Sequence, residues 1–341
     1  MTATGGNSST HGRAGWMARL IQWRMVIVLV LLATAVTILT GNRFSRPENL
    51  TNVARQISSE AIIAFGMTLV IITGGIDLSV GSLVALTGVV SGLVMSSLTS
   101  WGAFPCIATG MAAGMLLGAF FGSAAGGIIT RFAIPPFIVT LAGMLIARGL
   151  AFIACDGQPV YQLPAALRTL GRGFVFPDLL GRSLPIPVAI MLVLFVLFHF
   201  ILSRTVFGRS VVAVGSNEEA ARLAGIPVRR TKLFVYVLTG GLCGIVGMLQ
   251  NARLMSADPK TGETWELNVI AAVVVGGTSL FGGRGSIPGT LIGALIIGIL
   301  VNSLNLMQVT HFWQEVVIGS VILLAALLDA GISRLGGKFA V

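Results

Sequence analysis

The stretch Gly110-Met-Ala-Ala-Gly-Met-Leu-Leu-Gly-Ala-Phe-Phe-Gly-Ser-Ala-Ala-Gly126 places a glycine at every fourth position of an apolar run. Residues four apart lie on one face of an α-helix, so these glycines form a groove that a neighbouring backbone can approach closely. A glycine inside a helix costs roughly 1 kcal/mol relative to alanine, so five glycines at this spacing indicate a role in helix packing. We predict a membrane-spanning helix in tight contact with another helix, inside the subunit in preference to across a dimer. This glycine ladder consists of Gly110, Gly114, Gly118, Gly122 and Gly126.

Composition extends the membrane prediction to the whole chain. Hydrophobic residues make up 55% and charged residues 10% of the sequence, and the mean hydropathy is +0.93. Soluble domains carry about 25% charged residues, so a soluble globular protein is excluded. We predict an all-α polytopic membrane helix bundle with about ten transmembrane helices, in a range of about eight to eleven. The apolar runs are 25–40, 57–73, 78–98, 104–130, 134–154, 186–202, 233–250, 267–281, 287–304 and 312–328.

The distribution of basic residues predicts the orientation. The densest group lies between Arg204 and Lys232, and the positive-inside rule places such a loop in the cytoplasm. We therefore predict cytoplasmic N and C termini, a disordered tail at 1–24, a single transmembrane domain at 25–330 with a cytoplasmic loop at 203–232, and a tail at 331–341. The formal net charge of +10 then indicates contact with anionic lipid headgroups and not with nucleic acid.

The cytoplasmic loop contains the pattern of a short, sharply bounded helix, Gly215-Ser-Asn-Glu-Glu-Ala-Ala-Arg-Leu-Ala-Gly-Ile-Pro227. Ser216 and Glu219 have the spacing of a capping box, Gly225 suits a left-handed stop, and Pro227 prevents continuation. A helix of about 8–10 residues is too short to span a bilayer. Its apolar face, Ala220, Leu223 and Ala224, is available to a groove on another protein. Local chemistry leaves this interpretation open beside that of an ordinary surface helix.

Two glycine-interrupted segments predict discontinuous helices. Residues 74–81 and 276–283 share the pattern G-G-x-x-L-x-x-G, and irregular backbone inside a membrane is tolerated where it faces a cavity or other protein groups. The predicted translocation path comprises Gly74, Gly75, Asp77, Ser79, Gly276, Gly277, Thr278, Asn302 and Asn305. Two alternatives remain open: the carboxylate at 77 or the hydroxyl at 79 caps the following helix, and the two asparagines bridge helices.

No enzyme motif occurs in the chain. His11, His199 and His311 are scattered, the three cysteines lack metal-ligand spacing, and no phosphate-binding Gly-x-x-x-x-Gly-Lys loop is present. We expect no catalytic residue, no metal ligand and no cofactor bound by this chain.

Three segments, 66–82, 215–226 and 270–286, resemble the permeases of bacterial ribose/xylose/galactofuranose-type ABC importers, over about 49–329. The resemblance implies a second permease, same or homologous, an ATPase with two cassettes that binds ATP and Mg, and a periplasmic or lipid-anchored sugar-binding protein. It also implies a place in the bacterial cytoplasmic (inner) membrane and a coupling helix that docks on the ATPase. The coupling residues would be Gly215, Ser216, Asn217, Glu218, Glu219, Ala220, Ala221, Arg222, Leu223 and Gly225.

The expected function is therefore that of the transmembrane subunit of an ATP-driven sugar importer, without enzymatic activity of its own. We expect a small neutral polyol, a monosaccharide, as the solute, because a fixed charge would need a counter-charge along the path. The alternative is an ATP-independent secondary carrier or channel for a small polar solute, which would need paired intramembrane charges or a proton relay.

Overall fold

The computed structural model describes residues 25–175 and 184–336, which form an all-α bundle that is 77% helical. The helices in this part of the chain are α1 Met25–Leu39, α2 Pro47–Ile72, α3 Val80–Ser97, α4 Ala103–Phe132, α5 Pro136–Ala154, α6 Leu167–Arg172, α7 Ile186–Arg204, α8 Val206–Ser216, α9 Glu218–Leu223, α10 Val228–Leu254, α11 Trp265–Val275, α12 Ile287–Leu306 and α13 His311–Gly336. A 3-10 turn, Thr99–Trp101, lies between α3 and α4. Two short antiparallel strands, β1 Phe174–Val175 and β2 Leu184–Pro185, pair beside α6 and α7.

Seven of the described helices are long and apolar enough to cross a membrane, namely α2, α3, α4, α5, α7, α10 and α12. The apolar parts of α1, α11 and α13 are shorter, and each of the ten predicted apolar runs falls on a helix. The predicted all-α membrane bundle is therefore confirmed. Helix α13 continues to Gly336, so the first part of the predicted tail at 331–341 is helical. Residues 1–24 and 337–341 lie outside the described part of the chain.

The centre of the bundle is formed by α2, α3 and α10. Their most apolar windows are 89%, 72% and 67% buried, whereas those of α4, α5 and α7 are only 17–22% buried. The outer helices expose large apolar side chains such as Phe120, Leu145 and Val193. An apolar exterior of this extent is stable in contact with acyl chains, which agrees with a multi-pass membrane protein.

The glycine ladder lies on the buried face of α4, against α3 and α10. A Cβ atom at Gly118 would collide with the carbonyl of Gly240, and a Cβ at Gly126 would lie 3.0 Å from the Cα of Leu233. The contact is reciprocal, because a Cβ at Gly244 would lie 2.5 Å from the carbonyl oxygen of Gly114. The two backbones therefore touch inside the subunit, and α4 and α10 run antiparallel along this contact.

The predicted span at 267–281 is helical only as far as Val275, the last residue of the 11-residue helix α11. The chain that precedes it is non-helical, and it passes along α3 from Ala257, beside Gly92, to Gly262, beside Gly81. The guanidinium Nη1 of Arg148 on α5 donates to the carbonyl oxygens of Pro259 (2.7 Å) and Thr261 (3.0 Å) and so satisfies backbone groups that no helix satisfies. We call residues 257–263, which connect α10 to α11, the extended strip.

Candidate functional site

The loop between α7 and α10 contains two helices where the sequence predicted one. Thr205 caps the first of them, α8, and its hydroxyl oxygen accepts from the amide of Gly208 at 3.1 Å. Helix α8 continues to Ser216 and therefore includes the residues that were expected to begin the second helix. The second helix, α9, is six residues long, shorter than the predicted 8–10.

The predicted capping box is wrong. The amide of Ala220 donates to the side-chain oxygen of Asn217 at 2.9 Å, so Asn217 is the N-cap of α9. The Ser216 hydroxyl instead donates to the carbonyl oxygen of Val212 at 2.9 Å, within α8. The predicted end does occur, since Gly225 has a φ of +80°, the left-handed conformation that stops a helix.

We predict that Asn217→Ala loosens α9, because removal of an N-cap costs about 0.5–2 kcal/mol. At about 1 kcal/mol, the unfolded form of α9 becomes roughly fivefold more populated, which is measurable as faster amide hydrogen exchange in 218–224. Glu219→Ala is the matched control, because it truncates an exposed side chain of the same helix and leaves the Asn217 cap in place. An equal acceleration in both variants would contradict the assignment of the cap.

The apolar side chains predicted for the coupling surface are exposed. Leu223 is 85% exposed, and Ala220 and Ala224 are exposed beside it. Ala221 points the other way and packs with Val214 and Val228. Helix α9 is therefore held to the bundle on one face and presents a small apolar face outward.

Ion pairs stabilise the N-terminal end of α9. The carboxylate of Glu218 accepts from Lys232 Nζ at 2.6 Å and lies 3.8 Å from the guanidinium of Arg222. The partner lysine belongs to α10, and its side chain is only 18% exposed. The pair therefore joins the first turn of α9 to the first turn of the central helix α10.

The two glycine-interrupted segments meet directly beneath α8. The amide of Gly283 donates to the carbonyl oxygen of Ile72, the last residue of α2, at 2.9 Å. A Cβ at Gly282 would lie 3.3 Å from the amide nitrogen of Gly74 and 2.9 Å from the carbonyl oxygen of Gly215. We call these five residues the glycine junction. It connects the end of α8 to α2 and to the loop between α11 and α12, and only Ser216 and Asn217 separate it from the start of α9.

The structure does not bring all nine predicted path residues together. Seven lie at the α9 end, on the two interrupted segments, and Asp77 there is only 1% exposed. Its Oδ1 accepts from the Ser79 amide (2.9 Å) and hydroxyl (2.6 Å), so the carboxylate is bonded to the residue that precedes α3 and no side chain caps that helix directly. The remaining two, Asn302 and Asn305, lie near the end of α12, at the opposite end of the bundle.

Both asparagines bridge structural elements. Asn302 exchanges amide hydrogen bonds with Asn49 of α2, at 3.1 and 3.2 Å, and the Oδ1 of Asn305 accepts from Gln314 Nε2 of α13 at 2.8 Å. The helix-bridging alternative is therefore the arrangement observed.

Comparison with known proteins identifies the chain. Residues 49–326 match the family described as branched-chain amino acid transport system / permease component. The chain belongs to this family of permeases. It is 46% identical over 304 residues to the ribose import permease protein RbsC of Bacillus subtilis, covering 88% of this chain and 90% of the relative. It is 44% identical over 316 residues to RbsC of Escherichia coli K12 (92% and 94%), and 39% identical over 315 residues to the L-arabinose ABC transporter permease protein AraH of Azospirillum brasilense (92% and 89%). No solved structure matches. The chain is a transport permease and not an enzyme.

Sequence reasoning missed two groups in the core of the permease. Arg148 of α5 holds the extended strip through two backbone carbonyls, a contact that the sequence did not indicate. Tyr236 of α10 is buried, and its hydroxyl, which finds no hydrogen-bond partner within the described residues, points at Gly75. No local pattern signals either role, because each depends on contacts between distant segments. The glycines of α10 that face the ladder, by contrast, had a signal in the spacing Gly240-x-x-x-Gly244.

We predict that Asn302→Ala lowers the stability of the permease without abolishing transport. Interhelical side-chain hydrogen bonds in membranes average about 0.6 kcal/mol and reach about 1.7 kcal/mol. A double-mutant cycle with Asn49→Ala, measured by thermal unfolding in detergent, should give a coupling in this range. Additive effects, together with a large rise in the solute concentration needed for half-maximal transport, would instead place Asn302 on the solute path.

Proposed function

We propose that this chain is the transmembrane permease subunit of an ATP-driven monosaccharide importer in the bacterial cytoplasmic membrane. Helix α9 and both termini lie on the cytoplasmic side, as the basic loop predicts. The partners are a second permease, a tandem-cassette ATPase that binds ATP and Mg, and a periplasmic or lipid-anchored sugar-binding protein. The sugar permeases among the relatives support the solute class, and the neutral side chains of the path residues other than Asp77 agree with it.

One observation carries the coupling role: α9 exposes Leu223, and its N-terminus is joined to Gly215 of the glycine junction by Ser216 and Asn217 alone. A displacement of α9 by a closing ATPase acts on Gly215, and through it on the end of α2 and on the loop before α12. Helices α2 and α12 are also joined along their length, since the hydroxyls of Thr68 and Thr290 lie 2.6 Å apart. We infer that α2 and α12 move together when α9 is displaced. The two helices would then form the rigid body that alternating access requires.

Two ionisable side chains inside the bundle, Asp77 and Arg148, are engaged by the protein itself, which supports a neutral solute. The buried carboxylate of Asp77 accepts two hydrogen bonds from Ser79, and the guanidinium of Arg148 holds the extended strip. A charged solute in a low-dielectric path needs a counter-charge that is free to face it, whereas hydroxyl groups can be passed between waters and backbone carbonyls. The same engagement removes these two groups from the paired intramembrane charges that the secondary-carrier alternative needs.

The test is uptake by proteoliposomes that contain the complete importer. Labelled ribose and arabinose, presented on the cognate binding protein, should accumulate only with internal ATP and Mg. A sugar phosphate and leucine, offered in the same way, should not accumulate. Accumulation driven by an ion gradient without the ATPase, or uptake restricted to leucine, would overturn the proposal.

A further inference from the structure

A cavity of about 690 Å³ lies between α9, the start of α10 and the turn that joins α4 to α5. Four cationic side chains line it, Arg222, Arg229, Arg230 and Lys232, with Glu218 as the one carboxylate. Two of the cations, Arg222 and Lys232, pair with that carboxylate. Arg229 and Arg230 are exposed and do not pair with it. Four cations and one carboxylate give the cavity a net positive charge of about three.

The opposite wall of the cavity is apolar. It includes Ile134, Pro135 and Pro136 of the α4–α5 turn, together with Ile129 of α4. The large apolar residues next to this wall in sequence are exposed, with Phe132 at 64% and Phe137 at 51%. A ligand that contacts both walls of the cavity therefore needs an anionic group for the basic wall and an apolar part for the other. The adjoining exposed rings of α4 and α5 extend the apolar contact towards the acyl region.

We propose that this cavity binds the phosphate group of an anionic phospholipid, with the acyl chains along the α4–α5 side. Basic pockets at the cytoplasmic membrane surface recognise anionic headgroups, and the predicted orientation places this cavity at that surface. A bound phosphate attracts Arg229 and Arg230 at the start of α10, immediately after α9. It therefore fixes the position of α9 relative to α4 and α5. This consequence for coupling rests on the proposed function of α9, whereas the binding itself does not.

The shared chemistry is a phosphate ester, and the apolar wall favours the lipid over a soluble phosphate. The test is calorimetric titration of full-length permease in neutral detergent with short-chain phosphatidylglycerol. Parallel titrations use short-chain phosphatidylcholine, glycerol phosphate and inorganic phosphate. Saturable binding of phosphatidylglycerol, at least tenfold tighter than that of phosphatidylcholine, is expected from roughly 1 kcal/mol per basic residue near an anionic headgroup. Contact of the acyl chains with the apolar wall should also make it at least tenfold tighter than the binding of the two soluble phosphates. Equal binding of the soluble phosphates would overturn the lipid assignment.

Arg229→Gln with Arg230→Gln should weaken binding of phosphatidylglycerol about 25-fold. Arg204→Gln with Arg209→Gln is the matched control, because it removes two exposed charges from the same loop outside the cavity lining, and its affinity should be unchanged. Equal losses in both pairs would indicate general surface attraction and overturn the site. Leu223→Asp separates this proposal from the coupling proposal, since it alters α9 outside the cavity lining and should leave lipid affinity unchanged.

An acidic segment of the ATPase is the competing occupant. If it fills the cavity, phosphatidylglycerol binds the isolated permease but is released when the ATPase is added. Such displacement would overturn the proposal for the working importer. Retention of bound phosphatidylglycerol in the purified complex, seen by native mass spectrometry in the wild type and not in the Arg229→Gln, Arg230→Gln variant, is the expected result.

Discussion

Gly118→Leu is expected to abolish assembly of the folded permease. A Cβ at this position already collides with the backbone carbonyl of Gly240, so the larger side chain must separate α4 from α10 over several residues. In lipid the association of these helices depends on van der Waals packing and hydrogen bonds, and separation removes the packing directly. The measurement is the fraction of membrane-inserted protein that remains monodisperse in mild detergent.

A single methyl group on α10 provides the matched comparison. A Cβ at Gly240 collides with the carbonyl of Gly118, whereas a Cβ at the adjacent Gly241 meets no atom within 4 Å. Gly240→Ala should therefore destabilise by about 1–3 kcal/mol through overpacking. Gly241→Ala should be neutral or stabilising by up to about 1 kcal/mol, because alanine has the higher helix propensity. Equal stability of the two variants would contradict the described α4–α10 contact.

The second large effect is expected at the glycine junction. A Cβ at Gly215 would lie 2.7 Å from the amide nitrogen of Gly283 and closer still to the carbonyl oxygen of Ile72. Gly215→Ala therefore forces apart the two groups whose hydrogen bond joins α2 to the loop before α12. Because backbone atoms cannot move aside as a flexible side chain can, we expect transport to fall at least tenfold.

The control for Gly215→Ala is Ser210→Thr, which adds one methyl group to the same helix at a partly exposed position. Uptake and ATPase activity are measured together in proteoliposomes. If the junction transmits motion, Gly215→Ala lowers uptake per ATP hydrolysed while the ATPase still assembles. Normal transport by this variant, or a loss of the same size in the control, would refute the role of the junction.

The parts of the fold that depend on local periodicity could be predicted from the sequence. The glycine ladder identifies the buried face of α4 because four-residue spacing is itself the geometry of a helix face. Hydropathy likewise locates the apolar runs. It gives no information on how the polar chain before α11 is folded, however, so the extended strip could not be predicted. The strip exists because Arg148, more than 100 residues away in sequence, satisfies its carbonyls.

The boundaries of α9 show the same limit at the candidate site. Ser216 and Asn217 are both good N-cap residues, so local chemistry does not choose between them. Tertiary packing favours the second, since Gly215 contacts Ile72 and Gly283 and α8 continues through Ser216. For the predicted path residues, the sequence identified polar groups but not their partners. The Asn49–Asn302 pair joins positions 253 residues apart, and no local spacing indicates it.

The central claim is that a separate ATPase drives this permease through α9, and Leu223→Asp tests it most directly. Leu223 is 85% exposed and should anchor α9 in an apolar groove of the ATPase, where a buried unpaired carboxylate is strongly unfavourable. Val206→Asp is the matched control, because Val206 is 69% exposed in the same loop and lies outside α9. The measurement is ATPase activity stimulated by sugar-loaded binding protein in the reconstituted importer. The account predicts that Leu223→Asp loses this stimulation about 30-fold or more while Val206→Asp retains it; full stimulation with Leu223→Asp would contradict the account.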